Sequence, residues 1–167
     1  ESMLVLLHRD EARAVELATA VIRDFPDRYR ADLLAGQRMK LGLLRTDIPE
    51  AIGDASLVDD WLALLQTNRA DYTQAFRFLA DAAAGNDLPL LQLIADGDAL
   101  KVWLARWRVR CAAEDVATGN TDSAARACAI RQVNPRIIPR NHRVEEALAA
   151  ASAGDLAPFE ALLAALR

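Results

Sequence analysis

At 167 residues the chain can bury roughly two thirds of the surface its unfolded form exposes, which predicts one self-sufficient domain spanning 1–167. The residues are 53% apolar yet only 5% aromatic, and Ala and Leu make up the difference, so helix is favoured over strand and an all-α fold is expected. A net charge of −4 gives the whole chain no electrostatic case for nucleic acid or an anionic membrane, and no apolar run approaches a bilayer span, so neither partner is expected.

The chain starts Glu1-Ser2-Met3, neither an initiator methionine nor a basic, then apolar, signal peptide, which suggests an internal fragment or a processed end. His8-Arg9-Asp10 follows and spells the catalytic-loop triplet of protein kinases. The position where that loop carries a metal-binding Asn is Val15, and no glycine-rich loop precedes the triplet. Asp10 and Glu11 are read instead as the acidic start of a helix, where they complement the positive dipole end.

Five of the seven glycines are followed at once by Asp or Asn: Gly53-Asp54, Gly85-Asn86, Gly97-Asp98, Gly119-Asn120 and Gly154-Asp155. Glycine suits the end of one helix and Asp or Asn the start of the next, so each pair is read as a boundary. Helices are then predicted over 10–24, 27–43, 54–68, 71–84, 88–95, 98–117, 121–133, 143–153 and 155–166. This is an irregular bundle of eight or nine helices built from antiparallel helical hairpins. The boundary intervals are irregular, so no fixed-period repeat array is expected.

Apolar spacing of three to four residues marks core faces. The first is Val15, Ala18, Ile22 and Phe25; the second Leu57, Trp61, Leu64 and Leu65; the third Tyr72, Phe76 and Leu79. The last is Leu148 and Ala151 with Phe159, Leu162, Leu163 and Leu166. Asp71 with Gln74, and Ser56 with Asp59, have capping-box spacing. Trp103 and Trp107 lie one turn apart beside Lys101, Arg106, Arg108 and Arg110; at helical spacing next to Leu104 they read as core anchors with arginines covering the rim, not as a base-stacking platform.

Two cysteines, Cys111 and Cys128, are too few for a secreted disulfide framework, so a reducing, cytoplasmic setting is expected. They sit equidistant from Gly119-Asn120, and a helical hairpin there would bring them to one height as a redox pair; packing as small apolar side chains is the commoner alternative.

The segment Asn134-Pro135-Arg136-Ile137-Ile138-Pro139-Arg140-Asn141-His142-Arg143 is a basic connector whose two prolines impose extended backbone. Arg126, Arg131, Arg136, Arg140 and Arg143 fall in a stretch, 123–144, without an acidic residue. Arg136, Arg140, Asn141, His142 and Arg143 are therefore the candidate contacts for an anionic partner at the start of the following helix. The competing role is a structural brace, its arginines paired to Glu145, Glu146, Asp155 or acids on other helices. No zinc-protease, nucleophile-elbow or Walker motif is present, and no catalytic, metal or cofactor-binding residue is assigned.

The text of this connector, Asn134-Pro135 and Ile138-Pro139-Arg140-Asn141-His142-Arg143-Val144-Glu145-Glu146-Ala147, followed by Gly154-Asp155-Leu156 and Phe159-Glu160, resembles the C-terminal region of the selenoprotein O family, also called YdiU. Lys40-Leu41-Gly42-Leu43, Asp71-Tyr72-Thr73 with Phe76, and Trp103-Leu104 with Arg106-Trp107-Arg108 extend the likeness in order along nearly the whole chain. The resemblance implies a C-terminal fragment of a kinase-like protein that moves AMP from ATP, with magnesium, onto Ser, Thr or Tyr hydroxyls of protein substrates. The family's phosphate-binding, metal-binding and catalytic residues lie upstream of this region, and its cysteine or selenocysteine near the extreme C-terminus would fall beyond Arg167. This segment is then a scaffold to an upstream kinase-like lobe and binds no ATP or magnesium itself. Faces that pack on that lobe should be exposed and apolar, open to self-association. The alternative is a free-standing interaction module that uses connector 134–143.

Overall fold

A computed structural model describes residues 3–119 and 122–166, apart from the side chains of Val5 and Ser123. All regular structure among these residues is helical: a 3-10 turn at Leu4–Leu6, α1 (Glu11–Lys40), a second 3-10 turn at Pro49–Gly53, α2 (Asp54–Asn68), α3 (Tyr72–Ala83), α4 (Leu88–Leu93), α5 (Gly97–Thr118), α6 (Ser123–Val133), α7 (Asn141–Ser152) and α8 (Ala157–Ala165). The all-α expectation holds, and no described helix is long and apolar enough to cross a membrane.

The chain divides into two units, the first ending at Gln37 and the second beginning at Arg38. In the first, Asp10 accepts a hydrogen bond from the Arg13 backbone N–H (2.9 Å), so the kinase-like triplet is indeed a helix start. Two expectations fail here. The helices expected over 10–24 and 27–43 are one, running through Pro26. Proline removes one backbone bond, but neighbouring Ile22 and Phe25 are exposed, so water can reach the orphaned carbonyl. For the same reason the expected core face is not one: Val15, Ile22 and Phe25 are all exposed.

In the second unit α1 ends at Lys40, short of the expected residue 43, and is closed by Gly42. Gly42 N–H bonds the Met39 carbonyl (3.0 Å) and Leu43 N–H reaches back to Arg38 (2.9 Å), the double closure that needs a left-handed residue; Gly42 has φ +71°. Glycine is needed for space as well: a Cβ there would lie 2.7 Å from Ile130 Cγ1. At the Asp71 N-cap the side chain accepts the Gln74 N–H (2.8 Å) as expected, whereas Ser56 and Asp59 lie inside α2, which begins two residues earlier at Asp54. Gly97 likewise falls inside α5, because Asp96 takes the cap and accepts the Ala99 N–H (3.0 Å).

Helix α2 packs on α5, α3 on α4 and α6, and α7 on α8. Between α2, α3 and α5 the aromatic core is continuous: Trp61 and Trp103 centroids are 4.3 Å apart, Trp103 and Trp107 6.1 Å, and Phe76 meets Trp61 edge-on at 5.9 Å. Trp103 Nε1 donates to the Leu57 carbonyl and Trp107 Nε1 to the Leu41 carbonyl, each at 2.9 Å. The tryptophans are core anchors. The face expected on the last two helices stays open: Leu148, Phe159, Leu163 and Leu166 are exposed, and only Ala147 of α7 is buried. Two short helices packed on each other cover too little of each other's apolar surface.

Candidate functional site

Beneath the aromatic core, α5 carries Arg110 and Glu114 one turn apart, and both are buried. Arg110 Nε donates to Asp54 Oδ1 (2.7 Å) and its Nη2 to Asp54 Oδ2 (3.2 Å), a forked grip on a carboxylate that is itself fully buried at the start of α2. Its Nη1 reaches Glu114 (3.2 Å) and its Nη2 the Arg45 carbonyl (2.6 Å). Arg38, in the last turn of α1, adds Nε to Asp54 Oδ2 (2.8 Å). Glu114 accepts the backbone N–H groups of Leu44 (3.0 Å) and Arg45 (3.2 Å), while Arg126 from α6 lies 3.8 Å away and donates to Asp115 and the Gly42 carbonyl.

Burial pulls the Arg110 guanidinium down, but the hydrogen bond and charge of Asp54, then those of Glu114, outweigh it and hold Arg110 above its ordinary value. The cluster thus fastens the crossing from α1 to α2 onto α5 and α6. Its polar atoms are engaged with one another or with backbone. It holds structure and offers no vacant ligand to a metal or an acid–base pair, and no three His, Cys, Asp or Glu side chains converge elsewhere among the described residues.

Sequence reasoning missed this cluster: Arg110 was expected on the rim, and the structure corrects that. The signal was present, because positions 103, 107, 110, 111 and 114 share one helical face, so an Arg four residues before a Glu at those places had to be buried as a pair.

The connector between α6 and α7 is anchored at its first residue. Asn134 is buried, its Nδ2 donating to the carbonyls of Lys40 (2.9 Å) and Ile130 (3.0 Å) and its Oδ1 accepting from Lys40 Nζ (3.2 Å). Burial lowers the Lys40 pKa, and its ammonium lies over the Phe76 ring at 5.4 Å. Arg77 from α3 donates to the carbonyls of Arg131 (2.6 Å) and Asn134 (2.8 Å).

Beyond that anchor the candidates Arg136, Arg140, Asn141, His142 and Arg143 are all exposed. Arg143 pairs with Glu146 (2.9 Å) within α7, and Arg131 with Asp81 (2.9 Å) on α3. Arg136 and Arg140 have no side-chain partner among the described residues; Arg140 contributes only its carbonyl, which accepts the Arg143 N–H (2.9 Å) at the start of α7. The structure brings Arg140 to Arg143 together at one helix start and leaves Arg136 apart on the extended segment.

Cys111 and Cys128 are free thiols in different settings, the first buried and the second exposed. Burial pushes the Cys111 thiol up to about 12, so it is not a nucleophile at neutral pH.

Residues 3–167 match the family described as protein adenylyltransferase SelO. The protein nucleotidyltransferase YdiU of Cereibacter sphaeroides is 47% identical over 166 residues, an alignment covering 99% of this chain and 31% of that protein. Its counterparts in Rhodopseudomonas palustris and Agrobacterium fabrum are 43% and 41% identical, each covering 99% of this chain and 32% of the relative. The chain therefore spans about a third of the length of these curated relatives, and along nearly all of its own length it belongs to the SelO family of nucleotidyltransferases.

Proposed function

We propose that this chain is the helical C-terminal part of a kinase-like protein adenylyltransferase and serves its upstream lobe as a scaffold. The full-length protein moves AMP from ATP to Ser, Thr or Tyr hydroxyls of other proteins in the cytoplasm. In that reaction the acceptor oxygen bonds to the α-phosphorus, the α–β anhydride bond breaks, pyrophosphate leaves, and the hydroxyl proton passes to a base supplied by the upstream lobe. The observation that carries the reading is the family match over 3–167, set against relatives about three times as long.

Among the described residues no three His, Cys, Asp or Glu side chains come together to hold the magnesium that such transfer requires. Asp54 and Glu114, the buried carboxylates, are committed to guanidinium groups and backbone N–H donors. No step is assigned to them. Titration calorimetry of Mg·ATP into the 167-residue chain is expected to show no binding; micromolar affinity would put nucleotide recognition here and sink the scaffold role.

A second reading, a free-standing module that docks an anionic partner, is favoured by one observation, the exposed Arg136 and Arg140 without side-chain partners among the described residues. A reading frame with several hundred upstream codons carrying kinase-like motifs would eliminate it.

A further inference from the structure

Helix α5 has two apolar faces. One carries Trp103, Leu104 and Trp107 into the core. The other carries Val102, Ala105, Val109, Ala112 and Val116, spaced alternately three and four residues apart in strict heptad order, and every one of them is exposed. The valines are 65%, 70% and 84% exposed, where isolated surface valines on a soluble helix would be replaced at no cost by polar residues. An open cleft of about 460 Å³ runs beside this seam between α5 and the start of α2, lined by Leu57, Ala105 and Val109 with Glu50, Arg106 and the buried Asp54–Arg110 pair, and Ile52, 90% exposed, lies in the 3-10 turn that forms its other wall.

The spacing specifies the occupant's shape. A repeat of 3.5 residues keeps one line of side chains facing a second helix along its length, and here that line runs about 21 Å at 1.5 Å per residue. β-Branched valine at one heptad position and alanine at the other leave shallow holes that admit large side chains from a closely approaching helix. The cations beside the seam are paired within the chain, Lys101 with Asp98 (3.1 Å), Arg106 with Asp60 (2.6 Å) and Arg108 with Asp87 (2.5 Å), while Glu50 in the cleft wall has no side-chain partner among the described residues. Along the seam itself, where all five positions are Val or Ala, apolar fit selects what binds. A parallel second copy would set Lys101 of one chain against Arg106 of the other, like charges at flanking positions.

About two thirds of the length of the relatives lies outside this chain. We infer that the α5 seam and its cleft receive a leucine-rich or aromatic helix from that remaining part of the full-length protein, so that α5 is a central helix of the whole molecule and an edge helix only of this segment. This rests on the functional reading above.

The test is cysteine labelling in the protein encoded by the complete reading frame, with Val109→Cys, Val116→Cys and, as reference, Gln66→Cys on the exposed surface of α2. Maleimide modification is followed by peptide mass spectrometry. Positions 109 and 116 are expected to react at least about tenfold more slowly than position 66, independently of protein concentration. Equal rates would overturn the inference; so would protection that disappears on dilution, because the seam would then be held by a second copy. AMP transfer by the same preparation is read separately. Its absence with protection intact would sink the functional reading alone, and equal labelling in a preparation that transfers AMP would sink the seam alone.

Discussion

Arg110 and Arg140 carry the same guanidinium, but Arg110 makes four hydrogen bonds at 5% exposure while Arg140 stands in solvent with no side-chain bond among the described residues. The difference follows from what surrounds each on its own element. Arg110 lies on the tryptophan face of α5 opposite a buried carboxylate, so its charge had to be matched atom by atom. Arg140 follows Pro139 on a connector that is largely exposed beyond Asn134, where water matches the charge at no structural cost. The density of arginine in a sequence thus says little; the face it occupies decides whether it holds the fold or remains free for something else.

Breaking the buried member should have the largest effect. Asp54→Ala strands Arg110, and partly Arg38, and should cost about 3–5 kcal/mol in urea unfolding. A loss under about 1 kcal/mol would mean the cluster is solvated and the contrast false. Next comes Gly42→Ala, which disturbs the turn that Arg126 and Glu114 brace. The left-handed conformation costs alanine about 1–2 kcal/mol, and the contact with Ile130 adds about 1–3 kcal/mol unless that side chain moves. Adding Ile130→Val should recover part of the second contribution only.

A smaller effect separates buried from exposed thiols. The folded Cys111 thiol is held at about 12 against an ordinary 9.0, so between these values the unfolded chain has lost a proton that the folded chain keeps. Stability from this group is full below pH 9.0 and falls as pH rises toward 12, with a limiting slope of about 1.4 kcal/mol per unit. Comparing urea midpoints of the parent and Cys111→Ala from pH 9 to 10.5 isolates that slope; parallel curves would contradict it. Smallest of all, Arg136→Ala or Arg140→Ala should change stability by less than about 0.5 kcal/mol, and Arg143→Ala by about 0.2–0.5 kcal/mol in a salt-dependent way. A loss above about 1 kcal/mol at Arg140 would make the connector a brace and erase the comparison.

The fold class, most helix positions and the role of the three tryptophans were legible because they depend on local pattern: periodic apolar residues, Asp caps and glycine stops. The open faces of α1, α7 and α8 were not, since periodicity shows that a face is apolar without showing that anything covers it. Pro26 misled because a local rule yields where water can replace the lost bond. The charged cluster joins positions 38, 54 and 110, and pairing at that separation has no signature in a single sequence beyond the helical face that Arg110 shares with Glu114.

The stacked indoles have a spectroscopic consequence. All three tryptophans of the chain lie in one contiguous cluster of the second unit, with successive centroids 4.3 and 6.1 Å apart, close enough to share excitation. Tryptophan emission therefore originates in one place, the α2–α3–α5 core, while α1 through Gln37 and the α7–α8 pair carry no tryptophan. Circular dichroism counts all the helices equally. A gap between the two melting curves would measure how far the tryptophan-free helices come apart on their own before the core gives way.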